Sequence, residues 1–517
     1  MKKISILLAL SIAIMLTCSS CGNPKKPIVS SNSTNTVVFF SETSSEEDVV
    51  SMASEVSEGF SQNTSAILSE VNSQPETPSF VSSGNTSSDG KIFGTTSIGT
   101  NSKQEEKDDM DKIMRSFFNV MPKVIEVSDY NPKSAASGTN QWSNIKAITY
   151  DGAKINGKKT KVFAYIGFPA NASASSKVPA MVLVHGGGGH AYAEWVKLWN
   201  DRGYAAIAMD TTGFFPSESG KGLAGREGEN AAWWNYGLYG PFSQAGYVNA
   251  PNNDEMRSYE KPLEEQWMYH AVSSTILAHN ILLTDNRVNI GKIGITGISW
   301  GGIITSLAIG YDNRYALAIP IYGSGYLEQS HSYMKNLFAN SKTQELWSAA
   351  DRFKNVKFPT LWLSFANDLP FSVNTNSRSY EAVKGAGGIL SIKQNWSHSH
   401  NAGYAAQESY HFADSICKGG GALVSCVTEP SGRNIDFKIT VPADAKQVLA
   451  RAYYLTSKLS YSSNGIEQMW RSMNCTVNGD SVTGMLPADA VNYYVELTVQ
   501  TPSGSYVSTT KFVENVR

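Results

Sequence analysis

Val288-Asn-Ile-Gly-Lys-Ile-Gly-Ile-Thr-Gly-Ile-Ser-Trp-Gly-Gly302 decides how this chain folds. An apolar run at 293–298 leads into Gly297-Ile-Ser-Trp-Gly301, and a second apolar run follows at 303–309. The pattern predicts a buried strand that turns sharply into a helix with Ser299 at the turn. Only small flanking residues let strand and helix approach that closely, because the serine takes a strained backbone conformation. With 43 glycines in 517 residues, a G-x-S-x-G pentapeptide is expected about 0.4 times by chance. The apolar runs on either side therefore carry the reading, and so do the partners found elsewhere in the chain.

Working outward, strand and helix patterns alternate over 110–420, which predicts an α/β fold with a mostly parallel central sheet and helices on both faces. A helical run at 110–120 comes first. Residues 145–150 and 161–168 read as an antiparallel pair, and 179–185 and 204–210 as buried strands around a helix at 191–200. An aperiodic insertion at 214–260 precedes a long helix at 262–283. Further strands are predicted at 315–322, 360–365 and 389–394, and helices at 375–384 and 407–418. From 421 to 517 short strands follow one another without helices, which predicts a small all-β sandwich.

A serine hydroxyl is a weak nucleophile at neutral pH. It needs an imidazole to take its proton and a carboxylate to hold that imidazole in the right tautomer. In a strand-turn-helix elbow of this kind the chain order is serine, acid, histidine, which leaves the histidines after Ser299. Asp368, in Leu361-Trp-Leu-Ser-Phe-Ala-Asn-Asp-Leu-Pro370, stands just past an apolar strand, where parallel sheets place their ligands. The base lies in Asn395-Trp-Ser-His-Ser-His400. His398 is favoured as nearer the strand end, and His400 is assigned to substrate contact.

The negative charge that develops on the attacked carbonyl oxygen needs backbone N–H donors, each worth about 3–4 kcal/mol. One is the amide of Trp300. The second is expected from His185-Gly-Gly-Gly-Gly-His190, with Gly186 and Gly187 as the candidates and the choice among the glycine amides open. A glycine-rich strand-to-helix turn also cradles phosphate, but no G-x-x-x-x-G-K-[ST] sequence is present and no acid about twenty residues on suits a ribose. Neither a nucleotide cofactor nor a metal is expected. The formal net charge of −2 argues against nucleic acid as a partner, since phosphate neutralisation needs a basic surface.

His185-Gly-Gly-Gly-Gly189, Gly297-Ile-Ser-Trp-Gly-Gly302, Asn367-Asp368 and His398-Ser-His400, in that order, resemble the α/β-hydrolases, specifically the acetyl xylan esterase and dienelactone hydrolase-like secreted enzymes. The resemblance covers about 140–420. It implies a triad of Ser299, Asp368 and His398, oxyanion amides from Trp300 and the 186–188 glycines, no cofactor, and a small-molecule or polysaccharide ester as substrate. Two rival readings are a prolyl oligopeptidase-like peptidase, which shares such a core, and a non-catalytic binding protein on a hydrolase scaffold. The 214–260 insertion holds Trp233, Trp234 and Tyr236, whose rings are expected either to stack on substrate or to pack the insertion onto the body.

At the N-terminus, Lys2-Lys3 precedes an apolar run at 4–16 and then Thr17-Cys-Ser-Ser-Cys-Gly22. This reads as an export signal over 1–21 with Cys21 as the lipidated residue, anchoring the protein to a bacterial membrane at the cell surface. Residues 22–109 are rich in Ser, Thr, Asn and Glu and are expected to be a disordered tether, spanning roughly 50 Å. Of the remaining cysteines, Cys426 and Cys475 are candidates for pairing in an oxidising compartment.

Overall fold

In the computed structural model, which describes residues 101–132, 142–217, 239–241, 244–462, 465–466, 469–502 and 504–516, the chain opens with α1 (Asn101–Ser116). It enters a sheet through β1 (Val124–Glu126), β2 (Ile145–Asp151) and β3 (Lys161–Gly167). Next come β4 (Val178–Val184), α2 (Ala193–Asp201), β5 (Ala205–Met209) and a ribbon of β6 (Phe214–Pro216) with β7 (Tyr239–Pro241). The core continues with α3 (Trp267–Thr284), β8 (Val288–Ile298), α4 (Trp300–Tyr311), β9 (Leu317–Ile321), α5 (Met334–Phe338) and α6 (Ser341–Trp347). It closes with β10 (Thr360–Phe365), α7 (Val373–Val383), β11 (Gly388–Lys393), α8 (His400–Ala405) and α9 (Gln407–Cys417).

The C-terminal part is built of strands: β12 (Ser425–Cys426), β13 (Asn434–Thr440), β14 (Gln447–Leu455), β15 (Tyr461–Ser462), β16 (Gly465–Ile466), β17 (Arg471–Asn478), β18 (Ser481–Met485), β19 (Asn492–Thr501) and β20 (Gly504–Thr509).

The strands lie in the order β1-β2-β3-β5-β4-β8-β9-β10-β11-β20-β19-β14-β17-β18-β13-β12. From β5 to β11 every pairing is parallel, whereas β1, β2 and β3 run antiparallel to their neighbours. Two-sided burial explains the unbroken apolar runs. Every residue of β5 and β9 is buried, and so is every residue of α4, which lies against the sheet. The parallel strands point their carboxyl ends the same way, so the turns after β4, β8, β10 and β11 meet at one edge.

Two expectations change. The polar segment reaching 109 was expected to lack structure, yet α1 begins at Asn101. Met110 and Met114 are buried, and Asp111 pairs with Arg352 at 2.8 Å, whose side chain is 1% exposed; no local pattern reveals such distant partners. The C-terminal strands, expected as a separate sandwich, continue the main sheet, because β20 pairs with β11 through Leu390 and Thr509. Covering β11 in this way leaves it no open edge, which removes the liability an unpaired strand carries.

The expected pairing of Cys426 with Cys475 is absent. Both thiols are free, since β12 and β17 are separated by β13 and β18 in the strand order. Among the described residues no helix is long and apolar enough to cross a membrane. Cys21, the export signal and nearly all of the tether lie outside the described residues.

Candidate active site

Ser299 sits between the end of β8 and the start of α4 at φ 59° and ψ −118°, in the positive-φ region that side chains disfavour. Its neighbours make the turn feasible. A methyl group on Gly297 would overlap the Gly301 carbonyl and the Thr305 hydroxyl, and one on Gly301 would overlap the carbonyls of Val184 and His185. We therefore expect Gly301→Ala to destabilise the fold by about 3 kcal/mol or more, since both obstacles are backbone. Thermal denaturation beside Gly432→Ala, where nothing lies within 4 Å of the added carbon, checks this. Equal melting temperatures would overturn it.

Around this turn the structure brings the three expected residues together. His398 Nε2 lies 2.9 Å from Ser299 Oγ, and His398 Nδ1 lies 2.8 Å from Asp368 Oδ2. Asp368 is fully buried and its other oxygen accepts the Phe371 N–H at 2.9 Å. A buried carboxylate with both oxygens engaged fixes the tautomer with hydrogen on Nδ1 and leaves Nε2 to accept the serine proton.

Gly186 and His400 are joined by a contact that the sequence did not suggest. The Gly186 amide donates to His400 Nε2 at 2.9 Å, so it is not free for an oxyanion. The Gly186 carbonyl accepts from His185 Nδ1 at 2.7 Å and from the Gly189 amide at 3.0 Å. His185 in turn accepts the Thr211 N–H at Nε2, 2.9 Å away. His400 therefore props the glycine loop. Burial, followed by the neighbouring His185, His190 and His398, lowers its pKa well below the ordinary imidazole value, which keeps Nε2 unprotonated and able to accept. His190 is likewise pushed down to about 3 by burial.

With the Gly186 amide taken by His400, Gly187 remains a candidate for the second oxyanion donor. Among the described residues neither the Gly187 amide nor the Trp300 amide makes a hydrogen bond. The latter is an orphan N–H at the first turn of α4, where the helix dipole also favours negative charge. Gly187 packs so closely on the Trp300 ring that an added carbon would lie 2.5 Å from it. Trp300 meets Trp267 edge to face at 5.3 Å. That wedge ties the two candidate donors together.

Sequence reasoning missed Tyr322. It follows β9, has φ 64°, and lies over the His398 ring at 4.4 Å and 31°. Its hydroxyl donates to the Ser397 carbonyl at 2.6 Å. Burial and the Asp368 charge raise its pKa, so the proton stays. Phe371 lies parallel to the His398 ring at 5.8 Å. The available signal was position: Tyr322 stands at the carboxyl end of a parallel strand, beside the elbow. Asp210, just past β5, accepts from the Thr212 amide and hydroxyl and from the Phe214 amide. Trp233, Trp234 and Tyr236 lie outside the described residues.

Elbow, order of the parallel strands and chain order of serine, acid and histidine agree with what the resemblance to the α/β-hydrolases implies.

No family model matches the chain, and no curated protein matches it. Among solved structures it is similar to an acetyl xylan esterase from Paenibacillus sp. R4, at 18% identity over 60% of this chain and 99% of that one, with a TM-score of 0.42. Acetyl xylan esterase 1 from Thermoanaerobacterium sp. JW/SL YS485 matches at 13% identity over 61% of this chain and 94% of that one, with a TM-score of 0.41. An acylaminoacyl peptidase from Pyrococcus horikoshii matches at 17% identity over 54% of this chain and 43% of that one, with a TM-score of 0.38.

Proposed function

We propose that this chain is a serine esterase that removes acyl groups, acetate above all, from carbohydrate such as xylan. The observation that carries the hydrolase reading is the relay from Asp368 through His398 to Ser299, set beside two unengaged amides. Ser299 Oγ attacks the ester carbonyl while its proton passes to His398 Nε2. The oxyanion so formed is received by the Gly187 and Trp300 amides. On collapse the alcohol leaves with the proton from His398, giving an acyl-enzyme. His398 then takes a proton from water, whose attack releases the acid and restores Ser299.

Preference for esters over peptides rests on the resemblance of the sequence motifs. At the cell surface, a lipid on Cys21 and the tether to residue 100 would carry the enzyme toward wall-bound polymer.

The test is acetate release from acetylated xylan and other acetylated glycans, run beside p-nitrophenyl acetate and a peptide anilide. The expected result is turnover of the acetylated substrates and none of the anilide. Cleavage of the anilide at a comparable kcat/KM makes the chain a peptidase. Failure of every substrate, with no labelling of Ser299 by a fluorophosphonate, makes it a binding protein.

A further inference from the structure

We propose that the C-terminal strands clamp the acid loop and the base loop of the triad at their working separation, with Trp470 and Tyr494 as positioning residues. The inference rests on the reading of Ser299 as nucleophile, and it assigns a task to the part of the chain that reading leaves unused.

Asp368 follows β10 and His398 follows β11, two adjacent parallel strands. Beyond the strand ends each loop leaves the sheet, and the hydrogen bond of the relay alone is a thin tie between them. The C-terminal array grips both loops. The Trp470 indole N–H donates to Asn367 Oδ1 at 3.0 Å, one residue before Asp368. Gln394 Nε2 donates to the Tyr494 hydroxyl at 2.6 Å, four residues before His398. Trp470 and Tyr494 meet each other edge to face at 5.3 Å and 71°, so one aromatic pair holds both catalytic loops.

That pair is itself anchored. Tyr494 is fully buried in β19, and Tyr453 of β14 stacks on it at 5.6 Å. Trp470 also meets Phe512 at 6.2 Å, whose amide donates to Ser377 Oγ on α7 at 2.8 Å. α7 is the helix that follows the acid loop, so a third grip fixes that loop's exit. Pairing of β20 with β11 makes the array rigid with the sheet, which a clamp requires. Holding two reacting groups in register is where such a device acts, because a displacement of about 1 Å costs about a hundredfold in rate.

The experiment uses the mature chain with Trp470→Phe, Trp470→Ala, Tyr494→Phe and the Trp470→Phe/Tyr494→Phe double variant. Two quantities are read: the rate at which a fluorophosphonate labels Ser299, and kcat and KM for p-nitrophenyl acetate. Melting temperature is followed in parallel. Each single variant is expected to lose about tenfold in kcat and in labelling rate, with KM within about twofold. Trp470→Phe loses the N–H but keeps a ring against Tyr494, so its loss should be no greater than that of Trp470→Ala, which gives up both. The double variant should lose less than the product of the singles, because both act on one geometry.

Should a Trp470 variant fail to fold, Asn367→Ala removes the same hydrogen bond from an exposed position and is expected to show the same loss of kcat. Folded variants with wild-type kcat and labelling overturn the clamp, as does a loss confined to KM. A wild-type chain that takes up no label overturns the nucleophile assignment, and the clamp with it.

Discussion

Ser299→Ala is expected to lower ester turnover by about 10⁴–10⁶-fold while the protein folds as before. At 1.36 kcal/mol per tenfold this is about 5–8 kcal/mol of transition-state stabilisation, and one oxygen atom carries it. The substitution keeps Cβ, so the φ of 59° at this position costs the same in both proteins and no strain is released or added. The main-chain bonds of the elbow, from the Ser299 amide to the Ile321 carbonyl at 2.9 Å and from the Gly302 amide to the Ser299 carbonyl at 2.8 Å, involve no side-chain atom. His398 loses a partner, but its side chain is 23% exposed and water replaces the hydroxyl at little cost. Residual activity would come from the Gly187 and Trp300 amides acting on water attack. Steady-state kinetics on p-nitrophenyl acetate with matched melting curves check the expectation. Turnover within about tenfold of wild type, from a folded variant, would remove Ser299 from the chemistry.

The elbow could be read from sequence because its causes are local. Gly297 and Gly301 are required by atoms within a few residues or on the next strand, and the apolar run of β8 states its own burial. Asp368 and His398 were legible for a related reason: in a parallel sheet, strand ends are places of convergence, and each residue stands just past a recognisable strand. What could not be read depends on which groups meet across the chain. Nothing near Gly186 says that its amide is taken by a histidine 214 positions later, so Gly186 and Gly187 looked alike as donors.

The contact of His400 with the glycine loop was hidden for the same reason. His400 lies two residues after the base, and nothing local shows that its Nε2 accepts from the Gly186 amide beside the buried His185 and His190. The C-terminal strands showed their alternation and hid their partner. Alternating residues predict a half-buried strand, while pairing of β20 with β11 depends on an open sheet edge that no single segment displays.

Asp368→Asn separates the carboxylate's role in the relay from its role in packing, because the two side chains have the same shape. Asp368 Oδ1 accepts the Phe371 N–H and Oδ2 faces His398 Nδ1, so the wild-type group accepts on both sides. An amide cannot. If the Asn oxygen stays on Phe371, the NH₂ group faces Nδ1 and makes that nitrogen an acceptor. The imidazole then carries its hydrogen on Nε2 and cannot take the Ser299 proton. If the amide flips, its NH₂ opposes the Phe371 N–H in a fully buried site, at a cost of about 1–3 kcal/mol for the unsatisfied donor. The first arrangement avoids that cost and is therefore the one expected. Turnover should fall by about 10⁴-fold with a melting temperature close to wild type, and fluorophosphonate labelling of Ser299 should slow in parallel, since it needs the same base. A folded Asn variant that keeps turnover within about tenfold would mean that His398 finds its tautomer without Asp368, and the buried carboxylate would then be a structural anchor for the loop before α7.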